Sequence, residues 1–160
     1  MLKQVLFVVV MLLLLAGCGD GGQSGTGERS IALADGSTLA AADMDGRWLF
    51  VNYWAEWCAP CLVEIPELNE FHEDHEQVLV LGVNFDRLPP EELLPQMEQL
   101  DIRFPVAAAE PADVLDIAPP EVLPSTYVFN PEGERVGVLI GPQSLDDLAA
   151  VLETGAADRP

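Results

Sequence analysis

Residues 54–61 read W-A-E-W-C-A-P-C and complete a run, residues 47–54, that is almost wholly apolar and aromatic. Such a run predicts a central strand covered on both faces. From Ala59 to about residue 76, Leu62, Ile65, Leu68 and Phe71 recur at three-residue steps on one face of a helix. Cys58 and Cys61 therefore sit at a strand-to-helix junction, within the helix's first turn. Side chains at i and i+3 are neighbours on a helix, and a disulfide needs Cβ atoms about 4 Å apart. The pair can switch between dithiol and disulfide with little backbone movement. The spacing points to a redox site.

The amino terminus is read as a leader. Lys3 precedes a twelve-residue apolar run, residues 5–16, and then Leu15-Ala16-Gly17-Cys18. A spanning helix needs about 20 residues, so the run suits a signal-peptide core over residues 1–17 instead. Its ending resembles a bacterial lipobox, which implies that Cys18 is lipidated and begins the mature chain. Three cysteines then divide into one anchor and one pair, in a compartment outside the cytoplasm. Residues 18–30, rich in glycine, form a flexible tether. Residues 31–160, about 130 residues, are enough for one domain and too few for two.

All 27 acidic residues follow the leader, against six arginines and no lysine, so the mature chain carries a formal charge of −21. Phosphate backbones would be repelled at every approach, which excludes nucleic-acid binding. A basic partner and a generally acidic, solubilising surface remain two readings of this charge.

Residues 31–34 and 37–41 predict short edge segments around the Asp35-Gly36 turn. Residues 78–85 form a second buried strand, 91–100 a helix made irregular by Pro95, 103–107 a strand and 112–117 a short helix. Residues 127–130 and 135–140 flank Pro131-Glu132-Gly133 as a hairpin, and Ser144 caps a last helix over 145–152. Pro66 is expected to kink or break the helix that follows the cysteines. The order predicts an α/β domain with a mixed sheet and helices on both faces.

With W-C-x-x-C between the first core strand and its helix, this order resembles the thioredoxin fold, and specifically the TlpA/ResA/DsbE group of membrane-tethered thiol–disulfide oxidoreductases. The resemblance covers roughly residues 31–153 and rests on further motifs. C-x-x-C-x-x-E-x-P includes Glu64 and Pro66; Leu123-Pro124-Ser125-Thr126 stands where the group has its cis-proline loop; Asn130-Pro131-Glu132-Gly133 stands at its hairpin; and Asn52 replaces thioredoxin's buried aspartate. The proline-rich approach to Pro124, residues 116–122, is longer than the group's usual one and marks a place where substrate preference can differ.

The resemblance implies roles. Cys58 at the helix N-terminus is the attacking thiolate, favoured by the helix end, and Cys61 resolves the mixed disulfide. Glu64, otherwise an ordinary exposed helix acid, handles Cys61's proton; if buried without a cation its pKa rises. Leu123 and Pro124 dock a substrate strand, and Trp57 joins them while Trp54 and Trp57 shield the sulfurs. Glu56 reads as a solvated loop charge. Ala59-Pro60 is closer to the Gly-Pro of reducing thioredoxins than to strong oxidants, which implies a reductant. The substrates implied are protein disulfides, with apocytochrome c cysteines before haem attachment as the leading case; the donor is a membrane thiol relay, and no cofactor beyond the Cys58–Cys61 disulfide is called for. Two other classes are alternatives. A zinc module using C-x-x-C with His72 and His75 would have to join groups about 16 Å apart along one helix, a copper chaperone using the cysteines alone lacks a nearby third ligand, and a thiol peroxidase lacks the T-x-x-C context.

Overall fold

A computed structural model describes residues 30–157. The leader, Cys18 and the tether up to residue 29 lie outside the described residues. Ser30, read as the last tether residue, already belongs to β1 (Ser30–Ala32), which pairs antiparallel with β2 (Thr38–Ala40). One turn of helix follows, α1 (Ala41–Met44), too short to leave a periodic signal.

The frame is a four-stranded sheet of order β4-β3-β5-β6. Its strands are β3 (Trp48–Trp54), β4 (Val78–Asn84), β5 (Ser125–Phe129) and β6 (Arg135–Ile140). β3 runs parallel to β4 and antiparallel to β5, and β5 is antiparallel to β6. The parallel pair is joined across the sheet by α2 (Ala59–Asp74). Between β4 and β5 lie α3 (Pro90–Gln99) and the single turn α4 (Ala112–Leu115); α5 (Leu145–Thr154) ends the domain. The architecture is a thioredoxin-like fold.

Alternation along β3 sorts its side chains between two cores. Phe50 and Trp54 face α2 and α5, joining Ile65, Leu68, Phe71, Leu148 and Val151. Leu49, Val51 and Tyr53 face the β1–β2 hairpin and the small helices, joining Ile31, Leu39, Leu81 and Ile117. A strand buried on both sides reads as a continuous apolar run for this reason. The long helices α2 and α5 pack on the first face, while the second is roofed by the hairpin and one-turn helices.

α2 continues unbroken through Pro66, contrary to a local break, because Ile65 and Leu68 on either side of it are anchored in the core. The expected strand at 103–107 shrinks to two isolated bridges, Val106 to Gly82 and Ala107 to Leu33. Pro105 has no N–H to give a ladder, and only its carbonyl is used, accepting from Gly82 N at 2.8 Å. Asn69, buried on α2, fixes this segment by donating to Asp101 O at 2.7 Å and accepting from Arg103 N at 2.8 Å. The 130–134 turn forms as expected, with Gly133 at φ 79° and its N–H on Asn130 O. Ser144 and Asp147 make a reciprocal cap on α5. Among the described residues no helix is long and apolar enough to cross a membrane.

Candidate active site

The C-terminal end of β3 delivers the chain into the N-terminus of α2, and Cys58 is the N-cap. Cys58 and Cys61 form a disulfide, with Cα atoms 5.3 Å apart. Cys58 Sγ accepts a hydrogen bond from Cys61 N at 3.3 Å. Free N–H groups at a helix start favour negative charge, and the first turn of α2 holds no acidic side chain to oppose it. In a chain this acidic, the helix's own first turn thus adds no negative charge against a reduced Cys58.

Both cysteines are more enclosed than a partly exposed sulfur would require: Cys58 is 5% exposed and Cys61 2%. Cys58 nevertheless lines a cleft of about 460 Å³, together with Trp57, Ala59, Pro60, Phe85, Glu121, Val122 and Leu123. Cys61 does not line it. Trp54 is fully buried in the core beside the cysteines. Trp57 stands 64% exposed and lines the cleft beside Cys58. Its indole Nε1 donates to both carboxylate oxygens of Asp86, at 2.9 and 3.2 Å, and its ring meets Phe85 edge to face.

Behind the cysteines lies a polar group inside the core. Asn52, by the alternation of β3, projects towards α2; Thr126 is its cross-strand partner on β5; Glu64, three residues past Cys61, faces both. Asn52 Nδ2 donates to Glu64 Oε1 at 3.2 Å and to Thr126 Oγ1 at 2.9 Å. Thr126 Oγ1 lies 3.5 Å from the same Glu64 oxygen. Glu64 is 1% exposed, and its Oε2 has no hydrogen-bond partner. Burial pushes the Glu64 carboxyl up to about 8, against a smaller downward pull from the Thr126 and Asn52 hydrogen bonds. This acid is held protonated at neutral pH in the disulfide form. The spacing from Cys61 and the parity of Asn52 were readable in advance; the Thr126 contact depends on the β3–β5 register and was not.

The Leu123–Pro124 peptide is cis, at the start of β5 and on the same end of the sheet as Cys58. Among the described residues neither backbone polar group of Leu123 forms a hydrogen bond, while Pro124 O accepts from Gly141 N at 2.9 Å. The approach loop is tied down by Tyr127 Oη on Ala118 O and Ser125 Oγ on Val122 O, both 2.8 Å. Sequence reading missed Phe85, Glu121 and Val122 as parts of this cleft, and Asp86 as the partner that holds its Trp57 wall. They come from segments on either side of β3, and only the strand order brings them together.

One other reading changes. Glu56, though exposed, accepts from Gln96 and Gln99 of α3 at 3.0 and 3.4 Å, tying the cysteine loop to that helix. His72 is half-buried and takes Val80 N–H on Nδ1 at 3.3 Å; burial lowers its pKa. His75 packs on Phe71 at the far end of α2. Among the described residues no group of three or more His, Cys, Asp or Glu gathers as metal ligands.

Fold and site together are those of the thioredoxin-like thiol–disulfide oxidoreductases. The chain belongs to the AhpC/TSA family, whose model matches residues 28–134. The thiol–disulfide oxidoreductase ResA of Oceanobacillus iheyensis is 30% identical over 121 residues, covering 74% of this chain and 62% of that protein. The ResA of Bacillus cereus is 26% identical over 168 residues, covering 94% and 96%. A crystal structure of a DsbF homologue from Corynebacterium diphtheriae superposes with TM-score 0.67 at 22% identity, covering 86% of this chain and 97% of that one. The last shares the fold.

Proposed function

We propose that this protein reduces disulfides of other proteins outside the cytoplasm, held at the membrane by a lipidated Cys18. The observation that carries the reading is the Cys58–Cys61 disulfide at an acid-free helix N-terminus, with only Cys58 opening on a cleft. The reduced Cys58 thiolate attacks one sulfur of a substrate disulfide, forming a mixed disulfide and releasing the other sulfur as a thiolate. Cys61 gives its proton to Glu64 and attacks Cys58 Sγ. The second substrate thiolate leaves, and two electrons have passed from the protein to the substrate. A protonated Glu64 is the product of that step, in keeping with a carboxyl at about 8 in the disulfide form. Leu123's open backbone groups offer a pairing edge to a substrate strand.

The leader and Cys18 support the extracytoplasmic, anchored reading, with a membrane thiol relay returning the electrons. Among substrates, the resemblance to the ResA group favours apocytochrome c cysteines before haem attachment. Trapping tests the mechanism. Cys61→Ser should accumulate mixed disulfides with substrate proteins that dithiothreitol releases, and Cys58→Ser should accumulate none. Equal trapping by both variants would contradict the assigned order of attack.

A further inference from the structure

The strand order β4-β3-β5 sets the end of β4 and the start of β5 on either side of the cysteine junction. Phe85 and Asp86 come from the first, Glu121, Val122 and Leu123 from the second. Trp57, Phe85 and Val122 are 64%, 37% and 54% exposed, so half of the six large exposed hydrophobic side chains among the described residues bracket one sulfur. A single exposed apolar side chain is ordinary, but convergence on a reactive atom points to a contact surface.

Glu121 lines the cleft and Asp86 borders it through Trp57, and both are acidic. Asp86 is clamped by the Trp57 indole, its charge fixed at one wall. Glu121 stands exposed on the other wall, with no hydrogen bond or ion pair among the described residues. Among the described residues no arginine lines the cleft. Arg87, next to Asp86, instead acts on the Tyr53 hydroxyl, whose ring packs in the core on the sheet face away from α2. Glu56 turns towards α3, where Gln96 and Gln99 hold it.

We infer that the cleft beside Cys58 selects a peptide cysteine flanked by an apolar side chain and by lysine or arginine. The apolar residue seats between Trp57, Phe85 and Val122, and the basic residues meet Asp86 and Glu121. The inference rests on Cys58 being the attacking thiol and adds the substrate class to that reading. Charge complementarity of this kind acts mainly on the rate of encounter and on rejection of wrong partners.

The test uses the reduced protein and disulfide-bonded peptides that differ only beside the cysteine: lysine, glutamine or glutamate on the flanks, with leucine or serine adjacent. A small neutral aromatic disulfide reports Cys58 reactivity itself. At low ionic strength the lysine–leucine peptide should react about ten-fold faster than its glutamate counterpart, a ratio that salt diminishes. It should also outpace the lysine–serine peptide. Glu121→Gln should shrink the lysine-to-glutamate ratio at least two-fold, whereas Glu153→Gln, an equal charge change on the exposed face of α5, should leave it intact. Equal rates on all peptides, or equal shrinkage by both variants, would overturn the cleft's selectivity; the latter would assign the effect to the net charge. No reaction even with the neutral disulfide would instead overturn the redox reading on which the inference rests.

Discussion

Asn52 Nδ2 donates to Glu64 Oε1 at 3.2 Å, anchoring a buried carboxyl of α2 to the central strand. The contact joins two residues twelve apart in sequence, on the two elements that meet at the cysteines. It places a titratable group in the core with one oxygen bonded and the other without a partner.

Glu64 should make the disulfide form less stable as pH rises. In the folded chain its carboxyl titrates at about 8, against an ordinary value of 4.5. Between these values the native state holds a proton that the unfolded state has released, so stability falls with pH across that window. Denaturation at pH 6 and pH 9 should show a loss about 3 kcal/mol larger in the wild type than in Glu64→Gln. The same loss in both proteins would place the pH dependence elsewhere.

Asn52→Ala should remove the donor shared by Glu64 and Thr126. Because the Asn52 hydrogen bond pulls the Glu64 pKa down, its loss should push the carboxyl higher still. Buried acceptors left unpaired cost about 1–3 kcal/mol, and urea titration should show a loss of that size. Titration of the Glu64 carboxyl carbon by NMR would check the direction; an unchanged or lowered midpoint would contradict the assigned coupling.

Gly82 lies where β4 passes beneath Trp54 and the 104–106 segment. A Cβ there would come within 2.9 Å of Phe104 Cε2, 3.0 Å of Val106 Cγ2 and 3.2 Å of Trp54 Nε1. Gly82→Ala should therefore destabilise the fold by about 1–3 kcal/mol, the usual cost of overpacking. A melting temperature equal to the wild type's would show that the segment yields freely.

Those buried contacts also show what the chain discloses without a structure. β3 and β4 were legible because both faces are covered, leaving unbroken apolar runs such as Val78–Asn84. The cysteine junction was legible from spacing, and the burial of Glu64 followed only conditionally, since nothing local says whether an acid on α2 meets Asn52 or water. Pro105 hid the reduced pairing at 105–107, and α1 and α4 are too short for periodicity. The walls of the cleft depend on strand order: Phe85 and Glu121 are 36 positions apart in sequence and line one cleft only because β3 lies between β4 and β5.

A protein that reduces other proteins needs Cys58 and Cys61 to form a reversible couple poised to donate electrons. The most direct test is the reduction potential at pH 7, measured by equilibrating the protein with dithiothreitol or glutathione and counting free thiols. A reversible two-electron couple below about −200 mV is expected, on the reducing side of the range from about −270 mV for thioredoxin to about −120 mV for DsbA. A value near −120 mV would make the protein an oxidant, and the absence of any reversible couple would contradict the redox assignment altogether.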